Sequence, residues 1–307
     1  MRAGSTVSRR HLLLCGVSLV TLAACSATSS PSGESVDPKP PVPPTDARIE
    51  GMERQYGLTI GLSATDLRSG RRLAHRADER FAMCSTFKAY AAAAVLRSSE
   101  RGELALTDTV AIEPDDILAH SPVTERQVGS SMTLADLCRA ALQQSDNAAA
   151  NALLRVLGGP WAITEFARSI GDEESRLDRW EPELNSAVPG DLRDTTTPAA
   201  IGLGFRNLLA GDALELSGRQ QLEDWMRGNE TSSMRAGLPA GWTTADKTGG
   251  GAYGTTNDVG IAYGLDGQRL LLSIMTKSAV ADPSAPNLRP VIAELAALAV
   301  ADLSQQR

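Results

Sequence analysis

Segments with a two-residue apolar period stand at both ends of this chain, and segments with a helical period fill its middle. Near the start, Leu58–Ala64 alternates, Arg68-Ser69-Gly70-Arg71 supplies a turn, and Arg72–His75 completes a hairpin. Near the end, Thr243–Lys247, Asp258–Tyr263 and Arg269–Met275 read as strands, with Gly264-Leu265-Asp266-Gly267 as a hairpin turn. Between them, Ser85–Arg97, Leu134–Gln144, Ala148–Leu157, Ala162–Ile170, Pro198–Leu209 and Gly218–Met226 carry apolar residues at helical spacing. Gly158-Gly159-Pro160 and Gly171 act as stop signals, and further helices are expected over Asp46–Tyr56 and Arg289–Leu303. Strands at both ends around a helical middle imply one sheet completed by both termini. The expected fold class is therefore α+β: an antiparallel sheet flanked by helices, built from both chain ends, with an inserted all-helical domain. The boundaries that follow are 45–80 and 228–307 for the α/β part and 81–227 for the insertion. No internal repeat is visible.

The front of the chain is of another kind. Arg2, Arg9 and Arg10 precede an apolar run from Leu12 to Ala24, about 13 residues, which suits a signal peptide and is too short for a comfortable membrane span. Ser8-Arg9-Arg10-His11-Leu12-Leu13 resembles a twin-arginine export signal, and Leu22-Ala23-Ala24-Cys25 resembles a lipoprotein box with Cys25 as the acylated residue. An ordinary secretory signal cut at a small-residue site is the alternative. Residues 25–44 are Ser/Pro-rich and lack the apolar surface to order themselves, so they read as a tether behind the 1–24 signal. The expected location is outside the cell membrane, lipid-anchored through Cys25, or periplasmic or secreted if the anchor is absent. With Cys15 and Cys25 in the leader, the body keeps Cys84 and Cys138. Two thiols allow one disulfide, but the spacing does not demand it, and both are read as buried free thiols.

Charge narrows the function classes. The formal charge is −7, and loss of segment 1–24, with three arginines and no acid, takes it to −10. That argues against a sequence-independent grip on nucleic acid. Only four of the 30 basic residues are lysines (Lys39, Lys88, Lys247 and Lys277), and the histidines are His11, His75 and His120. So few imidazoles nearly rule out a zinc site built from several His ligands and disfavour a His-based triad. A hydrolase here would take its general base from elsewhere.

Three short segments offer chemistry. In Ser85-Thr86-Phe87-Lys88 the i, i+3 spacing puts a hydroxyl and an ammonium on one helix face at a helix start. Burial lowers a lysine's pKa and lets it accept a proton. Taken alone, the pair reads equally as a capping serine and a surface lysine. Ser145-Asp146-Asn147 lies between two helices, where Ser, Asp and Asn are ordinary caps. Lys247-Thr248-Gly249 ends a strand and leads into Gly250-Gly251, which reads as a hairpin turn or as a lysine beside exposed backbone N–H groups.

Together, in this order and spacing, the three match the S-x-x-K, S-D-N, K-T-G set, and the chain from about Asp46 onward resembles a class A serine β-lactamase. His120-Ser121-Pro122-Val123-Thr124 and Gly254-Thr255-Thr256-Asn257-Asp258 add to the likeness. So does Arg179-Trp180-Glu181-Pro182-Glu183-Leu184-Asn185, which resembles that family's Ω-loop. Asp178 to Pro198, placed in an Ω-loop spanning 178–198, shows no helical or strand period over about 20 residues, a length at which loops are usually functional or disordered. Trp180, Leu184 and Val188 argue against disorder.

The resemblance implies a nucleophile, Ser85, and an oxyanion held by the backbone N–H groups of Ser85 and Gly250. Ser145 would relay a proton to the leaving nitrogen, Lys247 and Thr248 would attract the substrate carboxylate, and Asn147 would bind the side-chain amide. Glu181 and Asn185 would position the deacylating water, with Lys88 or Glu181 taking the first proton and Arg179 pairing with Asp194. No metal or organic cofactor is implied; the partners are small β-lactams, with no nucleic acid, a membrane contact only through Cys25, and a monomeric state. Three departures stand out: His120 on the cleft wall where many members have Tyr or Trp, Ala92 where some bridge to the position of Cys138, and Thr256 where many place an arginine. Arg235 or Arg289 is a candidate substitute for that arginine. A D,D-peptidase would share three of the motifs and lack Glu181, a β-lactam receptor would stall after acylation, and a binding module without chemistry would leave Ser85–Lys88 unexplained.

Overall fold

Residues 44–304 are described by a computed structural model, so the export signal, Cys25 and all but the last tether residue lie outside the described part. The first half runs α1 (Thr45–Tyr56), β1 (Leu58–Asp66), β2 (Arg72–His75), β3 (Phe81–Ala82), a 3₁₀ turn Cys84–Phe87, α2 (Lys88–Glu100), β4 (Thr109–Ala111), β5 (Ser131–Thr133) and α3 (Leu134–Gln143). Then come α4 (Asn147–Leu157), α5 (Trp161–Ser169), β6 (Thr195–Thr196), α6 (Pro198–Leu209), α7 (Leu216–Arg227), β7 (Thr243–Gly250), β8 (Thr256–Tyr263), β9 (Arg269–Ser278) and α8 (Arg289–Ser304).

Five strands form one antiparallel sheet in the order β2-β1-β9-β8-β7, so the first and last thirds of the chain share it. Strand alternation sorts the side chains onto its two faces. Leu58, Ile60 and Leu62 of β1 join Leu270, Leu272 and Ile274 of β9 against Leu295 and Ile292 of α8. On the other face, Val259, Ile261, Leu271 and Met275 meet the helical body. Gly61 is required there: a Cβ would stand 2.5 Å from the Phe81 ring. At the centre of that body is α2, whose residues Lys88–Leu96 are all buried. An unbroken run of alanines lets neighbouring helices close on every side of it.

The structure adjusts several expectations. Ser85 does not open the α-helix; it sits in the 3₁₀ turn before α2, a common way for a helix to begin. The paired strands β3–β6 and β4–β5 are two or three residues long, too short to show a period. Within 178–198, a 3₁₀ turn at Glu183–Ser186 and strand β6 interrupt the loop. Of the residues expected to order it, only Leu184 is buried; Trp180 and Val188 are 38% and 46% exposed. Cys84 and Cys138 are buried and unpaired, as read from the sequence.

Candidate active site

The turn before α2, the α3–α4 junction, the 178–198 loop and strand β7 converge on one cleft of about 390 Å³. Ser85, Ser145, Asn147, Asn185, Thr248, Gly250 and His120 all line it. Lys88, Glu181 and Lys247 lie beneath, almost wholly buried. Every residue proposed for the site is therefore brought to one place, except Cys25, which lies outside the described residues.

Each approach has a local cause. Asp146, at the middle of Ser145-Asp146-Asn147, does cap α4, accepting from the Ala149 N–H at 2.8 Å. Its carboxylate also accepts from Val123 N–H and Thr124 N–H, both at 2.9 Å, tying the 121–124 loop to the junction. The capping reading thus holds for the aspartate, while the residues on either side face the cleft. Ser145 adopts a left-handed φ of 56°. That orientation brings its carbonyl to Lys88 Nζ and its hydroxyl to Lys247 Nζ, at 2.8 and 3.1 Å.

Lys88 Nζ also donates to Asn147 Oδ1 at 2.7 Å and lies 3.1 Å from Glu181 Oε1. The Ser85 hydroxyl donates to that same Glu181 oxygen at 3.3 Å, so the expected Ser85–Lys88 neighbourhood is mediated by a carboxylate. Burial pulls the Lys88 pKa down, and Glu181 works against that pull. Lys247 is held at about 7, by burial first and then by repulsion from Lys88. Below it, burial and the Asp246 charge push Asp258 well above the usual carboxylate range.

Glu181 Oε2 accepts from Asn185 Nδ2, whose Oδ1 is buried with no partner among the described residues. The loop is closed by Asp194, which accepts from Asp178 N–H at 2.7 Å and Arg179 N–H at 2.9 Å, and pairs with the Arg179 guanidinium. Across the cleft, the Gly251 N–H donates to Thr255 O at 3.1 Å. By antiparallel alternation, Gly250 then occupies a non-bonded position and turns its N–H off the open edge of the sheet. Gly249 allows the turn bearing Ser85 to pack on β7: a Cβ there would stand 2.7 Å from Met83 O.

Sequence reasoning missed some contributors. Asn151 donates to Glu181 O at 2.9 Å and accepts from Glu181 N–H at 3.0 Å, fixing the glutamate backbone to α4. A carboxamide on a buried, alanine-rich helix face, one turn after Asn147, was the available signal, since such a group needs a partner. Thr231, Ser233 and Asn287 also line the cleft. Of the two candidate arginines, Arg289 lines it and donates to Ser233 Oγ at 3.0 Å. Arg235 instead donates to Thr244 Oγ1 and approaches Asp246. His120 is exposed at the rim, its Nε2 3.1 Å from Gln144 O.

A model of the β-lactamase enzyme family matches residues 44–303. The chain is 45% identical to a β-lactamase of Streptomyces fradiae over 303 residues, 97% of each protein. It is 44% identical to β-lactamase FAR-1 of Nocardia farcinica, over 81% of this chain and 79% of that one. Among solved structures, an ancestral (GNCA) class A β-lactamase superposes with a TM-score of 0.80 at 46% identity, covering 84% of this chain and all of the other.

Proposed function

The chain belongs to the class A β-lactamase family and is a hydrolase of β-lactams, the activity behind resistance to these antibiotics; we propose that it works through an acyl-enzyme on Ser85. Ser85 Oγ attacks the lactam carbonyl carbon while the N–H groups of Ser85 and Gly250 hold the oxyanion. Glu181 receives the hydroxyl proton. What supports this choice is the Ser85 donation to Glu181 Oε1, with Lys88 spending its own protons on Glu181, Asn147 and the Ser145 carbonyl. The C–N bond breaks as Ser145 passes its proton to the nitrogen. Lys88, 3.5 Å from Ser145 Oγ, re-protonates that oxygen and takes the proton from Glu181, which returns to the carboxylate form, while the Lys247 contact holds the Ser145 hydroxyl in place.

Deacylation then needs a water between Glu181 and Asn185. Glu181 takes one of its protons, the hydroxyl adds to the ester carbon, and the carbon–Oγ bond breaks as Glu181 returns that proton to Oγ, regenerating Ser85 and the carboxylate. Asn185 Oδ1, buried and unused, is a second acceptor for that water. Lys247, Thr248 and Arg289 together attract the substrate carboxylate, so Arg289 takes the part left open by Thr256. Asn147 Nδ2 donates to Ala119 O, which fixes the side chain that would meet the substrate amide.

One observation carries this reading: a single oxygen of Glu181 faces both Ser85 and Lys88, which a D,D-peptidase or a stalled receptor would not need. The test is turnover of a chromogenic cephalosporin followed by intact-protein mass. Wild type turns over, Glu181→Gln accumulates the acyl-enzyme mass, and Ser85→Ala shows no adduct. A wild-type enzyme that stalls as the adduct overturns the hydrolytic assignment of Glu181.

For location, we infer export by the twin-arginine route and an acyl anchor on Cys25, supported by the Arg9-Arg10 and Leu22–Cys25 patterns; the body acts as a monomer. Metabolic labelling with an alkyne fatty acid should mark the wild type and leave Cys25→Ala unlabelled. Label retained in that variant overturns the anchor.

A further inference from the structure

A second cavity of about 300 Å³ is lined by the 178–198 loop and excludes Ser85. Its wall combines the outer half of the loop, Ala187–Arg193, with the Phe81 segment and Lys277 of β9. The charges there pair off with one exception. Asp191 is engaged by Arg193 at 2.7 Å and Arg179 at 3.7 Å. Arg80 is engaged by Glu174 and donates to Thr195 Oγ1 at 3.2 Å, and Glu79 is engaged by Arg76 at 3.0 Å. Among the described residues, Lys277 is the lining charge in no ion pair.

Its half-buried ammonium donates to the Arg80 carbonyl at 3.0 Å and sits 4.6 Å from the centre of the Phe81 ring. Burial lowers its pKa, with only Glu79 opposing it appreciably, so a negative partner at Nζ would recover what desolvation removes. The loop side of the lining, beside the paired Asp191 and Arg193, adds two exposed aliphatic side chains: Val188 is 46% exposed and Leu192 57% exposed. A cation in no ion pair, its nearest acid Glu79 already engaged by Arg76, set beside exposed aliphatic side chains, defines a ligand by its chemistry.

We propose that this cavity binds a small apolar monocarboxylate, its carboxylate on Lys277 Nζ and its hydrocarbon against Val188 and Leu192. The site is distinct from the catalytic cleft, shares no side chain with it, and is of a size that suits a small molecule.

Isothermal titration of the full chain with 4-phenylbutyrate, and with its uncharged amide, tests this. Saturable binding of the acid is expected, with the amide weaker by about tenfold or more, the scale of a lost charged hydrogen bond. Lys277→Gln should lose affinity to the same degree while keeping cephalosporin turnover, which shows that it folds. Leu192→Asp, at an exposed position, should weaken binding too. Arg289→Ala should bind the acid unchanged. Binding retained in Lys277→Gln, binding lost in Arg289→Ala, or no saturable binding by wild type would each overturn the site; none of them bears on the acyl-enzyme at Ser85.

Discussion

Lys247 shows how position sets the work of a side chain. Enclosed beside a second buried lysine, it titrates at about 7 instead of in the usual ammonium range. Its folded pKa lies below its ordinary value, so the charge that attracts a substrate carboxylate is present below pH 7 and lost above it. The free enzyme's kcat/KM for a carboxylate-bearing substrate should fall as pH rises through about 7. Lys247→Arg, always charged, should flatten that limb at a lower absolute rate; a limb unchanged in this variant assigns the titration to another group. The scarcity of lysine in the sequence singles out this residue and Lys88. The intervening part of Glu181 between Ser85 and Lys88 was not legible, because it depends on a loop 96 residues away along the chain.

Among the elements, the 178–198 loop carries the glutamate and is held at its base by Asp194. Removing a buried, multiply bonded carboxylate leaves Arg179 and two backbone donors without their acceptor. Asp194→Ala should cost roughly 3 kcal/mol, measured by urea unfolding. In the same variant acylation and deacylation should both slow, because Glu181 takes a proton in each step and loses its support while Ser85 stays on its own turn. Acylation at the wild-type rate argues against Glu181 as the acceptor of the Ser85 proton. The long helices and the five main strands were readable because each repeats its apolar period over several turns or residues. Ser145's left-handed backbone was not, since serine carries no glycine-like mark of such a conformation. Asn151 escaped for a related reason: its partner is the backbone of a distant loop, which leaves no pattern in the local sequence.

At the scale of the whole molecule, the sheet joins both ends of the chain and the helical body sits on its inner face, with the described residues in one compact unit. The two apolar clusters should therefore melt together. Leu153→Ala in the helical body and Leu295→Ala behind the sheet should each cost about 2–5 kcal/mol and shift one calorimetric transition. Two resolved transitions would instead mean separable halves. The enclosure of α2 has a further bearing, on how such an enzyme changes under antibiotic pressure. A helix walled in along Lys88–Leu96 has almost no free surface, and a side chain larger than the one in place there must displace a neighbour, typically at about 1–3 kcal/mol. Selection for new substrates has little to work with on that helix. It falls instead on the exposed rim, at His120 and Asn287, where a substitution reshapes the cleft and leaves the proton-handling groups where they are.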